Sequence, residues 1–219
     1  MRKLVLVSLL TLLMSASSAS AVNLLVNGDW GTGDETGWTR WRAPWGSGEN
    51  WNVTAAGPTP PEGTLHLNAA AGTSSFGWYQ VVPVPASEPV TIDGDWTGDV
   101  SPTAWAEVML FSVAPGTSAN DIVSRIDSGA GADIAAKKDG WGLNPPDVWD
   151  WAPITAAPGD GGFEKHSIGW VVVALKLGTG TWNPNHNGLS ASFDNLVLTP
   201  EPAAALLLGL PMLLLRRRR

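Results

Sequence analysis

The sequence predicts an all-β fold, an antiparallel sandwich, from three observations. Glycine and proline recur at short intervals along the 219 residues, 25 and 17 in number. The segments between them alternate apolar and polar residues more than they follow a helical period, and helical stretches are few. Short strands joined by tight turns bury their apolar faces best by stacking as two sheets.

Taken in order, the chain opens with Arg2 and Lys3, an apolar run over 4–14 and the small residues Ala19, Ser20 and Ala21. These are the three parts of a secretory signal. Residues 1–21 are therefore expected to form a signal helix removed on export, and residues 22–199 one domain. Strands are expected at 65–67, 78–84, 90–96, 104–113, 168–177 and 190–198. In 90–96, Val90, Ile92 and Trp96 share one face, with Thr91, Asp93 and Asp95 on the other, as in a half-buried strand. The runs 171–175 and 104–113 are nearly continuous in apolar residues, which marks central strands covered on both faces.

One short helix is expected over 118–126, with Ser118 as its cap and Asp121 near its positive end. Between 139 and 163 the chain is dense in proline, glycine and tryptophan and reads as a long loop, its three indoles arguing against disorder. In the last strand Ala191 and Phe193 share one parity, while Leu196 and Leu198 share the other. A β-bulge at Asp194 and Asn195 is expected to absorb the shift.

After residue 199 come Pro200, Glu201 and Pro202, an apolar run over 203–215, and Arg216, Arg217, Arg218 and Arg219. As a helix that run reaches about 20 Å, against a hydrocarbon core of about 30 Å, so insertion is marginal. Arginines flanking an apolar run stay cytoplasmic, which puts the body outside. The three parts in this order resemble the PEP-CTERM sorting signal of bacterial exported proteins. The resemblance implies a tail at 200–219 that transiently anchors the protein in the cell envelope membrane. It also implies an exosortase-type processing enzyme as partner, and an association with extracellular polysaccharide and biofilm.

Between the two ends the body keeps seven basic residues against nineteen acidic ones. A phosphate-neutralising patch for nucleic acid is therefore disfavoured. There is no cysteine, so an exported domain of this length relies on its core, with or without a metal. Thirteen tryptophans stand beside the single Tyr79.

The segments NLLVNGDWGTGDETGWTRW (23–41), GWYQVVPVPASEPVTIDGDW (77–96) and SASFDNLVL (190–198) resemble the first strand and turn, the middle hairpin and the final strand of galactose-binding-like jelly rolls. Carbohydrate-binding modules are among that family. The resemblance implies an antiparallel jelly-roll β-sandwich, a polysaccharide ligand, and a structural calcium near Asn27, Asp29 and Asp194. The family commonly has Glu two positions after the Asp-like residue, and this chain has Gly31 there. Two readings stay open: calcium held by these oxygens, or Asn27 and Asp29 as turn formers with Asp194 on backbone amides.

Sugar rings stack their C–H faces on flat aromatic groups while amides and carboxylates take the hydroxyls. Two loop clusters are candidates: Trp41, Trp45 and Trp51 with Arg40, Arg42 and Asn50, and Trp141, Trp149 and Trp151 with Asn144, Asp147 and Asp150. Capping of the sandwich ends, with each indole N–H on a carbonyl, fits these residues equally. Trp105 and Trp170, in apolar strands, read as core. His66, His166 and His186 share no metal spacing, and there is no nucleophile elbow. The expectation is an exported, envelope-sorted protein that binds polysaccharide without catalysis. The rivals are a structural matrix protein with no specific ligand and a glycan hydrolase.

Overall fold

The computed structural model describes residues 22–44, 46, 48–54, 62–67, 74–100, 104–129, 133–140, 148–154, 165–180 and 189–200. The expected signal helix, the apolar tail beyond Pro200, Trp45 and Trp141 lie outside the described residues. Two antiparallel sheets face each other. The five-stranded sheet has the order β1 (Thr39–Arg42), β4 (Ser74–Pro83), β10 (Trp170–Thr179), β6 (Ala104–Val113), β7 (Asp133–Asp139). The six-stranded sheet runs β2 (Glu49–Thr54), β3 (Glu62–Leu67), β11 (Leu189–Pro200), β5 (Pro89–Asp99), β8 (Val148–Pro153), with β9 (Lys165–His166) also on β5.

All six expected strands form, and their period-2 patterns set the layers. β4 sends Phe76, Trp78 and Val82 inward, β5 sends Val90, Ile92 and Trp96, and β10 sends Val171, Val173 and Leu175, all into one core between the sheets. The continuous runs in β6 and β10 have a second use. Met109, Phe111, Val113, Val172 and Ala174 point to the outer side, where they meet Ile122 and Ile126 of α1 (Ala119–Ser128). One face is thus buried by the opposite sheet and the other by the helix.

The helix begins where its cap predicts. Ser118 Oγ accepts the Asp121 N–H at 3.2 Å, and Gly129, left-handed at φ 67°, closes the far end by donating to the Arg125 carbonyl at 2.9 Å. The bulge is also found: the β11–β5 register shifts between Asp194 and Val197, and Asn195 takes φ 52°.

The strands not expected are β1, β2, β7, β8 and β9. Four of these end a sheet and the fifth, β9, hangs from β5 as a single short pair, and sequences such as TRWR and ENWNVT carry too many polar residues for a strong strand signal. Conversely, residues 23–38 form turns instead of the expected first strand. Main-chain bonds from Leu24 N to Leu198 O and Leu196 N to Gly28 O, and one from Leu198 N to Asn23 Oδ1, hold that segment along β11. Left-handed Asn27 and Trp30 break any ladder there. Gln80 pins the segment from the other sheet, accepting Val26 N at 2.8 Å and donating to Val26 O at 3.0 Å.

Candidate functional site

Outer-face residues of the five-stranded sheet follow from its register. One row crosses Trp41, Gly77, Lys176, Glu107 and Lys137; the next crosses Ser75, Gly178, Trp105 and Asp139. Two glycines in the middle of a sheet would normally weaken it. Here they permit close approaches: a Cβ at Gly178 would collide with the Trp105 ring, and one at Gly77 would collide with the Leu175 carbonyl and sit 3.1 Å from Trp41 Nε1. Trp105 is half-buried, with its ring lying against Gly178.

Beside it lies a buried ion pair. Lys176 and Glu107 are only 4 % and 6 % exposed, and Lys176 Nζ lies 3.3 Å from Glu107 Oε2. Burying these charges is tolerable only because they are paired and further bonded. Lys176 Nζ also donates to the carbonyls of Ile126 and Asp127 at 3.1 and 3.0 Å, at the negative end of α1. It lies 5.9 Å from the Trp105 ring centroid. Lys137 approaches Glu107 at 3.7 Å and Asp139 at 3.2 Å. Two buried polar atoms on this face, Trp41 Nε1 and Ser75 Oγ, have no hydrogen-bond partner among the described residues.

The loop clusters expected from sequence are distributed differently. Trp41 lies in β1, not a loop, and is buried under α1. Trp51 lies in β2 against Phe76, with its Nε1–H donated to Gly77 O at 2.8 Å and the Arg40 guanidinium 5.2 Å from its ring centroid. That is the capping arrangement. Arg40 is itself held at 2.7 Å by Glu35, which accepts the Trp78 Nε1–H at 3.0 Å.

In β8 the pair separates. Trp149 packs inward on Trp96, while Trp151 is 44 % exposed beside exposed Asp150 and Val148. Residues two apart in a strand ordinarily share a side, and the register shift between Trp96 and Gly98 is what puts Trp149 and Trp151 on different sides. Trp170, read as core, is half-buried against the outer cluster. Trp105, also read as core, is the platform that the sequence did not single out. Its sole signal was Gly178, whose meaning requires the β6–β10 pairing.

At the bulge, Asp194 is buried, and its pKa is raised by desolvation and by the charges of Asp29, Asp95 and Glu62, against the lowering effect of its bond from Asn195 N. Asn27 Oδ1 already accepts Thr32 N, Asp29 Oδ1 accepts Gly31 N, and Asp194 Oδ1 accepts Asn195 N. Among the described residues no group of three or more His, Cys, Asp or Glu is arranged to hold a metal. The oxygens suit a hard cation in kind, and main-chain carbonyls or water would have to complete the six to eight that calcium takes.

No family model matches the sequence, and no curated protein matches it either. The chain is similar in shape to the carbohydrate-binding module TmCBM61 solved with β-1,4-galactotriose, at TM-score 0.49 and 14% identity, covering 83% of this chain and 100% of that one. It is similar also to the tandem CBM22 domain of Paenibacillus barcinonensis Xyn10C, at 0.47 and 13%, covering 84% and 46%. A further likeness is to the arabinose-bound arabinofuranosidase MgGH51, at 0.45 and 12%, covering 84% and 27%. At these scores the likenesses assign no function.

Proposed function

We propose that this is an exported, envelope-sorted protein whose jelly-roll body binds extracellular polysaccharide without catalysis, through the outer face of the five-stranded sheet. One observation carries the binding: the Trp105 indole, laid over Gly178 and half-buried, has charged and hydrogen-bonding groups along both rows around it. A neutral sugar ring stacks on such a surface and spends its hydroxyls on the exposed Lys137 and Asp139 side chains. Export rests on the N-terminal signal, and sorting by an exosortase-type enzyme rests on the tail from Pro200 to Arg219. A structural calcium at Asn27, Asp29 and Asp194 belongs to the same reading, supported by the repulsion around Asp194 that a cation would relieve.

The rival reading, a matrix protein whose tryptophans only pack, is favoured by the burial of Trp30, Trp38, Trp41, Trp78, Trp96 and Trp149. Titration calorimetry with neutral β-linked oligosaccharides separates the two. Binding on the sheet face requires Trp105→Ala to weaken affinity tenfold or more, about 1.4 kcal/mol, with the chain still folded and Trp151→Ala changing little. The opposite pattern moves the site to β8, and the absence of any binding by the folded protein leaves the matrix reading. Release of reducing ends from the bound glycan would establish the hydrolase alternative.

A further inference from the structure

The five-stranded sheet's outer face is open at Trp105 and closed at Trp41. Trp41 is 3 % exposed and shares a buried cluster with Ile122 and Ile126 of α1. Its Nε1 and the Oγ of Ser75, itself 1 % exposed, have no hydrogen-bond partner among the described residues. Trp41 stands opposite Gly77, and Ala43 N donates to Ser75 O at 2.7 Å, so the two atoms belong to neighbouring strands one diagonal step apart. Buried polar atoms are nearly always paired, and two adjacent exceptions mark a place built to receive something polar.

The geometry points to the last turn of α1 as a latched cover over a second sugar subsite at Trp41 and Ser75, with Lys176 as the latch; this rests on the sheet face being the glycan surface. The cover has few fixings. Only Ile122 and Ile126 of its ten residues are fully buried, and a helix this short is marginal by itself. Lys176 Nζ joins the carbonyls of Ile126 and Asp127 to Glu107, which is buried beside it. In the same last turn Arg125 Nη1 donates to Ser112 O at 3.0 Å, while Ile122, a turn earlier, stays docked. A long glycan seated at Trp105 captures the helix end when these bonds open. Trp41 and Ser75 then accept the next sugar, Nε1 donating to a hydroxyl oxygen and Oγ pairing with its neighbour. Short glycans occupy Trp105 alone; long ones must lift the cover and bind with an affinity reduced by the fraction of time it is closed.

The test uses the full protein with a neutral β-linked disaccharide and hexasaccharide as probes, beside hydrogen exchange and the reactivity of Trp41 toward an indole-selective oxidant read by peptide mass spectrometry. Amides of residues 126–129 should exchange far faster than those of β6 and β10, with Trp41 reacting in step. Lys176→Met should raise Trp41 reactivity and should raise hexasaccharide affinity relative to disaccharide affinity tenfold or more. Ser124→Gly, at an exposed helix position, should move both in the same direction by about twofold to threefold, which keeps the test alive if Lys176→Met does not fold.

Trp41 protected to the level of β10 in every variant overturns the cover. Hexasaccharide binding that depends on Trp105 but ignores Lys176→Met also overturns it, while leaving the proposed function intact. A cover that opens in a protein binding neither probe supports the latch, and overturns the subsite together with the proposed function.

Discussion

The two sheets turn different outer faces to their surroundings. That of the five-stranded sheet is apolar over half its length, covered there by a helix, and holds a buried Lys176–Glu107 pair. That of the six-stranded sheet is a lattice of polar rows. Asn50, His66, Ser190 and Asp99 lie across one, and Asn52, Thr64, Ser192 and Thr97 across the next. Thr64 and Ser192 share a 2.8 Å hydrogen bond, as do Thr91 and Thr199 at 2.9 Å. The first face is built like an interior and the second like an ordinary solvated antiparallel sheet. Outer-face position therefore does not predict the energetic weight of a side chain; its cover does.

The sharpest way to break this comparison is to truncate equivalent outer positions. Phe111→Ala should cost about 3–5 kcal/mol, because Phe111 is fully buried beneath α1 with the Arg125 guanidinium 4.5 Å from its ring centroid. Denaturant unfolding measures it, and a loss below about 1 kcal/mol would mean the helix covers nothing of weight. Next, Glu107→Gln should cost about 3 kcal/mol, since it strips the buried Lys176 of its counter-charge and leaves it only carbonyls. Thermal melts of Glu107→Gln and of the Lys176→Met, Glu107→Met pair sharpen the point. The doubly apolar protein should recover much of the loss.

On the second face, Asp194 gives a prediction with the opposite sign. Its pKa is higher folded than unfolded, so the ionised carboxylate opposes folding above that pKa, and the penalty fades as pH falls through it. Asp194→Asn should raise stability at pH 7 in the presence of a chelator, and the gain should vanish once wild-type Asp194 protonates. With calcium added, the proposed site predicts the reverse order, since only the wild type keeps the carboxylate. Melting curves over pH, with calcium and with chelator, check both. The smallest effect expected is Thr64→Ala, about 0.5–1 kcal/mol, because its lost bond to Ser192 is replaced in part by water.

Strands with strong period-2 or unbroken apolar patterns were legible in the sequence, as were the Ser118 cap and the parity break at Asp194. Each depends on residues within a few positions of one another. The edge strands were not legible, because a strand buried on one side only by TRWR or ENWNVT has little local signal. Among the tryptophans, the sequence offered Trp41, Trp149 and Trp151 as ligand contacts or end caps and read Trp105 as core, while the structure buries Trp41 and Trp149, exposes Trp151 and leaves Trp105 half-buried.

By itself the sequence determined the layered β architecture, the short helix with its Ser118 cap, and the acidic, cysteine-free character of the body. Tertiary structure alone decided which indoles are faces and which are filling. Trp41 shares its buried cluster with Ile122 and Ile126 from a helix far along the chain, and the Trp105 ring rests against a glycine on a different strand. Periodicity records which side of a strand a residue takes. What lies on that side is set by pairings between distant segments, and burial, charge pairing and ring exposure all follow from those pairings.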